Sequence, residues 1–423
     1  MLPVFNQHRL HFDALRLAAL RAVEPAANVR RSFSNHDFAD AKRVFVVGAG
    51  KAGVAMTEAA ADILGDRLTA GAVSVPVPPS RICERVTFIA GGHPIPNAGS
   101  ISAGRAMADL LAQTTDGDLV IALISGGGSA LLELPKPGLS LADLQTTTDA
   151  LLKCGATIHE INCIRARLSQ LKGGGLARLS YPARVLGLIL SDVVGNALDV
   201  VSSGPTVPIA SSPNEARAIV DKYHLQTVLP IAVLQCLKQQ TSDENSAYLS
   251  SRTVQNRLIA SNRLAGEAGV AAAKELGYKG FFLADDWQGE AREVGGQFAQ
   301  LLIDRAGQGP KCFVIGGETT VTVRGRGKGG RNQEAALAAA IAVAGRPNIA
   351  LATFATDGVD GPTDAAGAVV TGDTVQRGRQ LGLDPRQYLD ANNAYPFFSA
   401  LGDLIVTGQT GTNVNDLLFG LVY

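Results

Sequence analysis

RVFVVGAGKAG, residues 43–53, is the stretch from which the fold is read. Its first half is a run of β-branched and aromatic side chains with no polar break, the pattern of a strand buried on both faces. Gly48-Ala49-Gly50-Lys51-Ala52-Gly53 then stops the run and opens a helix. Strand, glycine-rich turn and helix together are the repeating unit of a parallel α/β sheet. Moving outward, similar apolar runs occur at 71–77 (GAVSVPV), 86–90 (VTFIA), 118–124 (DLVIALI) and 184–190 (RVLGLIL). Helical segments separate several of them, so the first half predicts a parallel sheet covered on both faces. Between 237 and 252, LKQQTSDENSAYLSSR turns polar and loses periodicity, which places a domain boundary there. The second half restarts with LIA at 258–260, a helix near 262–276 and a strand at 280–284. Further strands are expected at 311–316, 319–324 and 349–355. Both halves are therefore α/β, giving domains at 1–240 and 250–423.

A chain of 423 residues suits two domains, and with 46% hydrophobic against 18% charged residues it has ample material for two cores. Lys plus Arg (38) equals Asp plus Glu (38), so no global field attracts nucleic acid or anionic lipid. Any anion site must be built locally. The five cysteines are scattered without zinc-ligand or C-x-x-C spacing and read as reduced thiols of a cytoplasmic protein. The N-terminus predicts an amphipathic helix around 11–23 without the uninterrupted apolar region of a signal peptide. No stretch approaches 18 strongly apolar residues, so no membrane span is expected.

The opening motif also satisfies G-x-G-x-x-G, a dinucleotide fingerprint. That reading wants an acid at the end of the next strand to hold the ribose. VSVPVPPSR (73–81) supplies none before Glu84, although Arg81 keeps an NADP reading open. Lys51 inside the loop points instead to a phosphate or carboxylate near Gly50, with a plain tight turn as the remaining option. Ser125-Gly126-Gly127-Gly128-Ser129 follows the strand DLVIALI, and such a run can turn consecutive N–H groups inward as an anion nest, or be only a tight connection. In NCIRARLSQLKGGG (162–175), Asn162, Arg165 and Ser169 share a helix face and Lys172 lies just beyond it. A solvated helix with a glycine cap accounts for the same string.

Asp192, at the end of LILSD (188–192), sits where open α/β sheets bind ligands; it could hold Mg²⁺, take the proton of an attacking hydroxyl, or cap a turn. GGETT (316–320) precedes RGRGKGGRNQE (324–334), a single basic glycine-rich copy in a neutral chain. An RNA-binding role is thereby disfavoured, and the loop is expected to deliver Arg331 to a helix N-terminus for a phosphate or carboxylate. TDGVDGPTD (356–364) lacks the ligand spacing of a calcium loop; Asp357 is the candidate for Mg²⁺, against an Asx-turn scaffold. His93, in GGHP (91–94), is a candidate substrate contact or a loop histidine. No G-x-S-x-G elbow, H-E-x-x-H or P-loop is present. Glycine nests, Lys51, Arg331 and carboxylates are the equipment of phosphoryl transfer.

Together, VVGAGKAGVAM, GGHPIPN, SGGGSALL, NCIRARLSQLKGGGLA, LSDVVGN with SSGPT, GGETTVTVRGRGKGGRNQE, ATDGVDGPTDAAGA and TGQTGTNVNDL resemble the glycerate 2-kinase family, the class II glycerate kinases whose C-terminal part is called MOFRL. The strings run in order from 46 to 417, nearly the whole chain. The resemblance implies transfer of a phosphoryl group from ATP to the 2-hydroxyl of D-glycerate, giving 2-phosphoglycerate and ADP, with Mg²⁺ or another divalent cation. It implies a Rossmann-like, doubly wound α/β/α N-terminal domain and a smaller α/β C-terminal domain with MOFRL at about 311–418, the site lying in the cleft between them. It maps the family lysine to Lys51 and the family arginine to Arg331. The chain departs from the family at Cys163, Gly175, Asn196-Ala197 and Gln409, where Thr, Arg, an acidic pair and Pro are usual.

Lys51, Arg331 and Asp192 are expected to be catalytic. Gly50, Ser125, Gly126, Gly127, Gly128, Ser129 and Lys172 bind nucleotide phosphates; Lys51, Arg331 and His93 bind substrate; Asp192 and Asp357 bind metal. Partners are ATP and D-glycerate, without nucleic acid or membrane, in a monomer or homodimer. The alternatives are an NADP-dependent hydroxypyruvate reductase, a label some family members carry, and a non-catalytic sugar-phosphate sensor.

Overall fold

Val44–Ala49 (β1) is buried at every position, as a strand flanked on both sides and covered on both faces must be. The computed structural model describes residues 5–80, 83–209, 211–239, 253–307 and 309–423. Among these, β1 is joined by Leu68–Val75 (β2), Val86–Ala90 (β3), Leu119–Ile124 (β4), Arg184–Leu190 (β5) and Val254–Ala260 (β6). Their order is β3-β2-β1-β4-β5-β6, and the pairings among β1 to β5 are parallel. This is the doubly wound order, with its switch point between β1 and β4. Register pairs Ala49 with Ile124, so the two glycine-rich loops leave the sheet side by side. Phe45, Met107, Leu111, Val120 and Leu176 fill one core layer of the sheet. A separate helical core of Leu144, Leu151, Ile161, Ile164, Leu168 and Val233 fixes the helix Ile158–Leu168.

A second sheet comprises Lys279–Glu290 (β7), Lys311–Thr320 (β8), Ile349–Ala355 (β9), Gly367–Thr371 (β10), Leu404–Ile405 (β11) and Asp416–Val422 (β12). Its order is β11-β10-β9-β12-β8-β7; only the β7–β8 pair is parallel. Phe298, Phe313, Leu337, Leu351 and Phe397 form its core. The strand expected at 319–324 is instead the end of β8. Beyond Thr320 the N–H groups of Arg324 and Gly325 donate to the Asn392 side chain, not to a neighbouring strand.

Contacts divide the chain into Pro25–Ile259 and a unit that joins the segment ending at Glu24 to Ala260–Tyr423. The division therefore differs from 1–240 and 250–423 at the N-terminus and at β6. Helix Phe5–Ala22 buries His8, Phe12, Leu15 and Ala19 as one stripe. His11 Nδ1 meets the Tyr278 hydroxyl at 2.7 Å, and Tyr278 meets Tyr423 at 2.5 Å. Arg9 donates to the carbonyls of Gly402 and Leu404. These partners lie hundreds of positions away, so local pattern could not assign the helix. Most of the polar stretch expected to mark the boundary, 240–252, lies outside the described residues. The cysteines form no disulfide, and no described helix is long and apolar enough to cross a membrane.

Candidate active site

The two glycine loops at the β1–β4 switch point have opposite hydrogen-bonding states. In the first, Gly50 donates its N–H to Ser74, Lys51 to the Gly126 carbonyl at 2.9 Å, and Gly53 to Gly50. The Ala52 N–H donates to Ser125 Oγ at 3.1 Å. The amides that a dinucleotide pyrophosphate would need are thus already taken, those of Lys51 and Ala52 by the neighbouring loop. Gly50, expected at the phosphate, allows close approach instead: its φ is +140°, and a Cβ there would lie 2.0 Å from Ser125 Oγ. In the second loop, the N–H groups of Gly126, Gly127 and Ser129 donate to nothing among the described residues. Gly127, at φ 84°, turns the chain into the short helix Gly128–Leu131. The Gly128 N–H between them donates to the Ser125 carbonyl at 3.3 Å, closing the turn around the open amides, and amides turned inward in this way form a concave anion site.

Three expected site residues, Lys51, His93 and Asp192, gather at this loop. A Cβ on Gly127 would stand 3.3 Å from Lys51 Cγ and 3.1 Å from the His93 ring, so both flank the turn. Lys51 is exposed. Desolvation first, then the Lys51 charge, holds His93 below the ordinary histidine pKa. On the other side a Cβ on Gly126 would fall 1.9 Å from Asp192 Oδ2, which places that carboxylate directly against the loop. Ser202 Oγ donates to the Ser125 carbonyl at 2.8 Å. Ser129 Oγ meets Ser203 Oγ at 2.8 Å, and Ser203 donates to Asn162 Oδ1 at 2.9 Å. Beyond Ser203 lies a cavity of about 190 Å³, lined in part by Asn162, Cys163, Asp199 and Ser211.

Lys172, expected to bind phosphate, is committed elsewhere. It is 3% exposed, with Nζ 2.5 Å from Glu133 Oε2 and 3.0 Å from the Leu132 carbonyl. Burial lowers its pKa against the pull of Glu133.

In the unit that contains β8 and β12, Gly330 caps the helix Arg331–Ala342 and places Arg331 at its first turn, as expected. The guanidinium reaches Asp416 with Nε at 2.6 Å and Nη2 at 3.2 Å, and Glu318 with Nη1 at 2.9 Å. Burial works against its charge, but Asp416 and Glu318 outweigh it and raise the pKa. Asp360 accepts the N–H groups of Asn332 and Gln333 at 3.0 and 2.8 Å, satisfying the helix N-terminus. Burial nevertheless pushes Asp360 up to about 7. Asp416, 3% exposed, is also raised by burial, with Arg331 opposing.

Asp357, expected at a metal, accepts the Val359 N–H at 3.0 Å in an Asx turn. The acid of that loop brought toward Arg331 is Asp360. Glu318, Asp360 and Asp416 were therefore missed as partners. The one available signal was that each lies in a glycine-rich string already singled out. Among the described residues no three His, Cys, Asp or Glu side chains are placed to hold a metal by themselves. Mg²⁺ needs only one or two carboxylates when phosphates supply the rest, and Asp192 beside the open amides meets that condition.

Two family models match the chain. One, described as "Domain of unknown function (DUF4147)", covers residues 11–238, and the MOFRL family covers 311–416. D-glycerate 2-kinase of Thermotoga maritima is 40% identical over 392 residues, covering 90% of this chain and 91% of that protein. A putative hydroxypyruvate reductase of Agrobacterium vitis is 40% identical over 382 residues, covering 89% of this chain and 98% of that protein. The crystal structure of the Thermotoga maritima glycerate kinase superposes with a TM-score of 0.90 at 37% identity, covering 99% of this chain and all of that one. The β2 end without a carboxylate and the occupied amides of the first loop suit the kinase name better than the reductase name. The strings, the sheet orders and the whole-length relatives agree that the chain belongs to the glycerate 2-kinase family.

Proposed function

We propose that this chain transfers the γ-phosphoryl group of ATP to the 2-hydroxyl of D-glycerate, giving 2-phosphoglycerate and ADP. The observation that carries the residue assignment is the second loop: three amides without partners among the described residues, beside an exposed lysine, a histidine and a carboxylate. The amides of Gly126, Gly127 and Ser129 hold phosphate oxygens. Lys51, free to swing, and Arg331, fixed by two carboxylates, neutralise the γ-phosphate and the glycerate carboxylate. Asp192 would hold Mg²⁺, which when bound would offset phosphate charge, or would instead take the hydroxyl proton as general base. Catalysis then rests on positioning and charge, as phosphoryl transfer requires. The chemistry belongs to a cytoplasmic enzyme of small-molecule metabolism.

The test is a product assay with purified protein, MgATP and D-glycerate, coupled through enolase with and without phosphoglycerate mutase. Signal through enolase alone is expected. Signal only with the mutase means 3-phosphorylation, and NADPH consumption on hydroxypyruvate without ADP release means a reductase. Lys51→Ala should lower kcat by roughly 10² with an unchanged melting temperature. Arg331→Ala should lower both, because it leaves Asp416 buried without its cation. Near-wild-type turnover by both variants would sink the residue assignment.

A further inference from the structure

Arg165 is a cation for which the scheme above has no use. It projects from the helix Ile158–Leu168, is half-buried, and hydrogen-bonds to nothing among the described residues. Its charged neighbours are Glu133 and Lys172. Both oxygens of Glu133 are already in use: Oε2 accepts from Lys172, and Oε1 accepts the Leu134 N–H at 3.0 Å. Two cations therefore share one carboxylate, and the surplus positive charge rests on the arginine. A guanidinium carries five donors in a planar fork, and leaving it half-buried without an acceptor is costly. Here the fork faces a pocket lined also by Ser129, Pro96, Thr147, Thr148 and Glu133 itself, whose two oxygens are held by Lys172 and the Leu134 N–H. Ser129 is the residue whose N–H ends the row of open amides. The pocket has room for one water-sized group, about 10 Å³, which excludes a ring but admits the end of a small anion.

We propose that the pocket between Arg165 and Ser129 is an anion subsite that receives a terminal carboxylate or phosphate of a ligand bound at the 126–129 loop. The naming of the two anions, hydroxy-acid carboxylate or nucleotide phosphate, rests on the kinase reading; the subsite itself does not. A planar fork is suited to either group and a lysine is not its equal. Arg165 thereby acts as a specificity residue contributed by the helical layer of the unit, three positions from the Asn162 that anchors Ser203.

The experiment measures equilibrium binding by calorimetry to D-glycerate, ADP and inorganic phosphate, separately from turnover. Arg165→Gln should weaken D-glycerate at least tenfold with ADP within twofold if the subsite takes the carboxylate, and the reverse if it takes phosphate. Arg165→Lys should recover only part of the loss. Thr148→Glu places a competing carboxylate at the pocket while keeping Arg165, and should reproduce the loss even if Arg165→Gln disturbs folding. Turnover assays on the same samples judge the kinase reading independently: absent phosphorylation with intact, Arg165-dependent binding refutes that reading alone. The subsite is overturned if wild-type protein binds none of the three anions, or if the variants bind them as the wild type does.

Discussion

A lysine with a carboxylate 39 positions earlier in the chain and an arginine with one 85 positions later look, in the sequence, like any other candidate anion ligands. Lys51, Lys172 and Arg331 all stand beside glycines, and that glycine-rich context is what marks them in the sequence. The structure separates them by partner. Lys51 is exposed on the nest, Arg331 keeps only part of its fork for a ligand, and Lys172 is sealed against Glu133. Those partners come from other elements, which is why local motif reading could name the cations but not their state. The buried Lys172–Glu133 pair makes a definite prediction. Lys172→Met removes the ion-pair partner of the Glu133 carboxylate, which is 5% exposed and then keeps the Leu134 N–H and the nearby charge of Arg165, and should cost up to about 3 kcal/mol in urea denaturation. Adding Glu133→Leu removes the stranded charge and should recover most of that loss. If Lys172→Met alone unfolds at the wild-type midpoint, the pair is not the buried contact described.

At the scale of elements the strands were legible wherever they were buried on both faces, because an uninterrupted apolar run has few other uses. The expected 184–190 and 349–355 coincide with β5 and β9. The ends of elements were less legible: β8 runs to Thr320 where a break was expected, and β12 runs from Asp416 to Val422 as an inner strand of its sheet. The glycine loops were visible, but which one offers amides was not, since that depends on the register of β1 against β4. Gly126→Ala tests this loop. The added methyl would fall on Asp192 Oδ2, so either the carboxylate or the loop must move. We expect kcat/KM for phosphoryl transfer to fall by roughly tenfold or more while the melting temperature changes little. Gly296→Ala, in the helix Ala291–Arg305 with nothing near its added methyl, is the control and should be neutral or stabilising by about 1 kcal/mol. Equal activity of both variants would remove Asp192 from the loop's working surface.

For the molecule as a whole, equal numbers of acidic and basic residues mean that pH acts on stability through a few buried groups more than through net charge. The N-terminal helix and β6 show why whole-chain organisation escaped a linear reading: each packs with the unit that the order of the sequence did not suggest. Two buried carboxyls within the unit of the second sheet are pushed into the neutral range. Burial pushes Asp360 up to about 7, and it pushes Asp403 up to about 7 despite the adjacent Arg377. Both bind their proton more tightly in the folded chain than in the unfolded one, where an aspartate titrates near 4. Their contribution to stability is therefore full below about pH 4 and lost progressively as pH rises to about 7, at up to about 1.4 kcal/mol per pH unit per group. Asp416, also raised, has the same sign. His11 and His93, lowered chiefly by desolvation, oppose it below the ordinary histidine pKa. Carboxyls held low, such as Asp37 and Asp118, act only at more acidic pH. Asp360→Asn mimics the protonated form and isolates one share of the slope. Denaturation midpoints at pH 5 and pH 7.5 should show the variant gaining on the wild type as pH rises, whatever its absolute stability. An identical pH dependence in both proteins would mean that Asp360 is already ionised at pH 5, held by the Asn332 and Gln333 amides and the charge of Arg331.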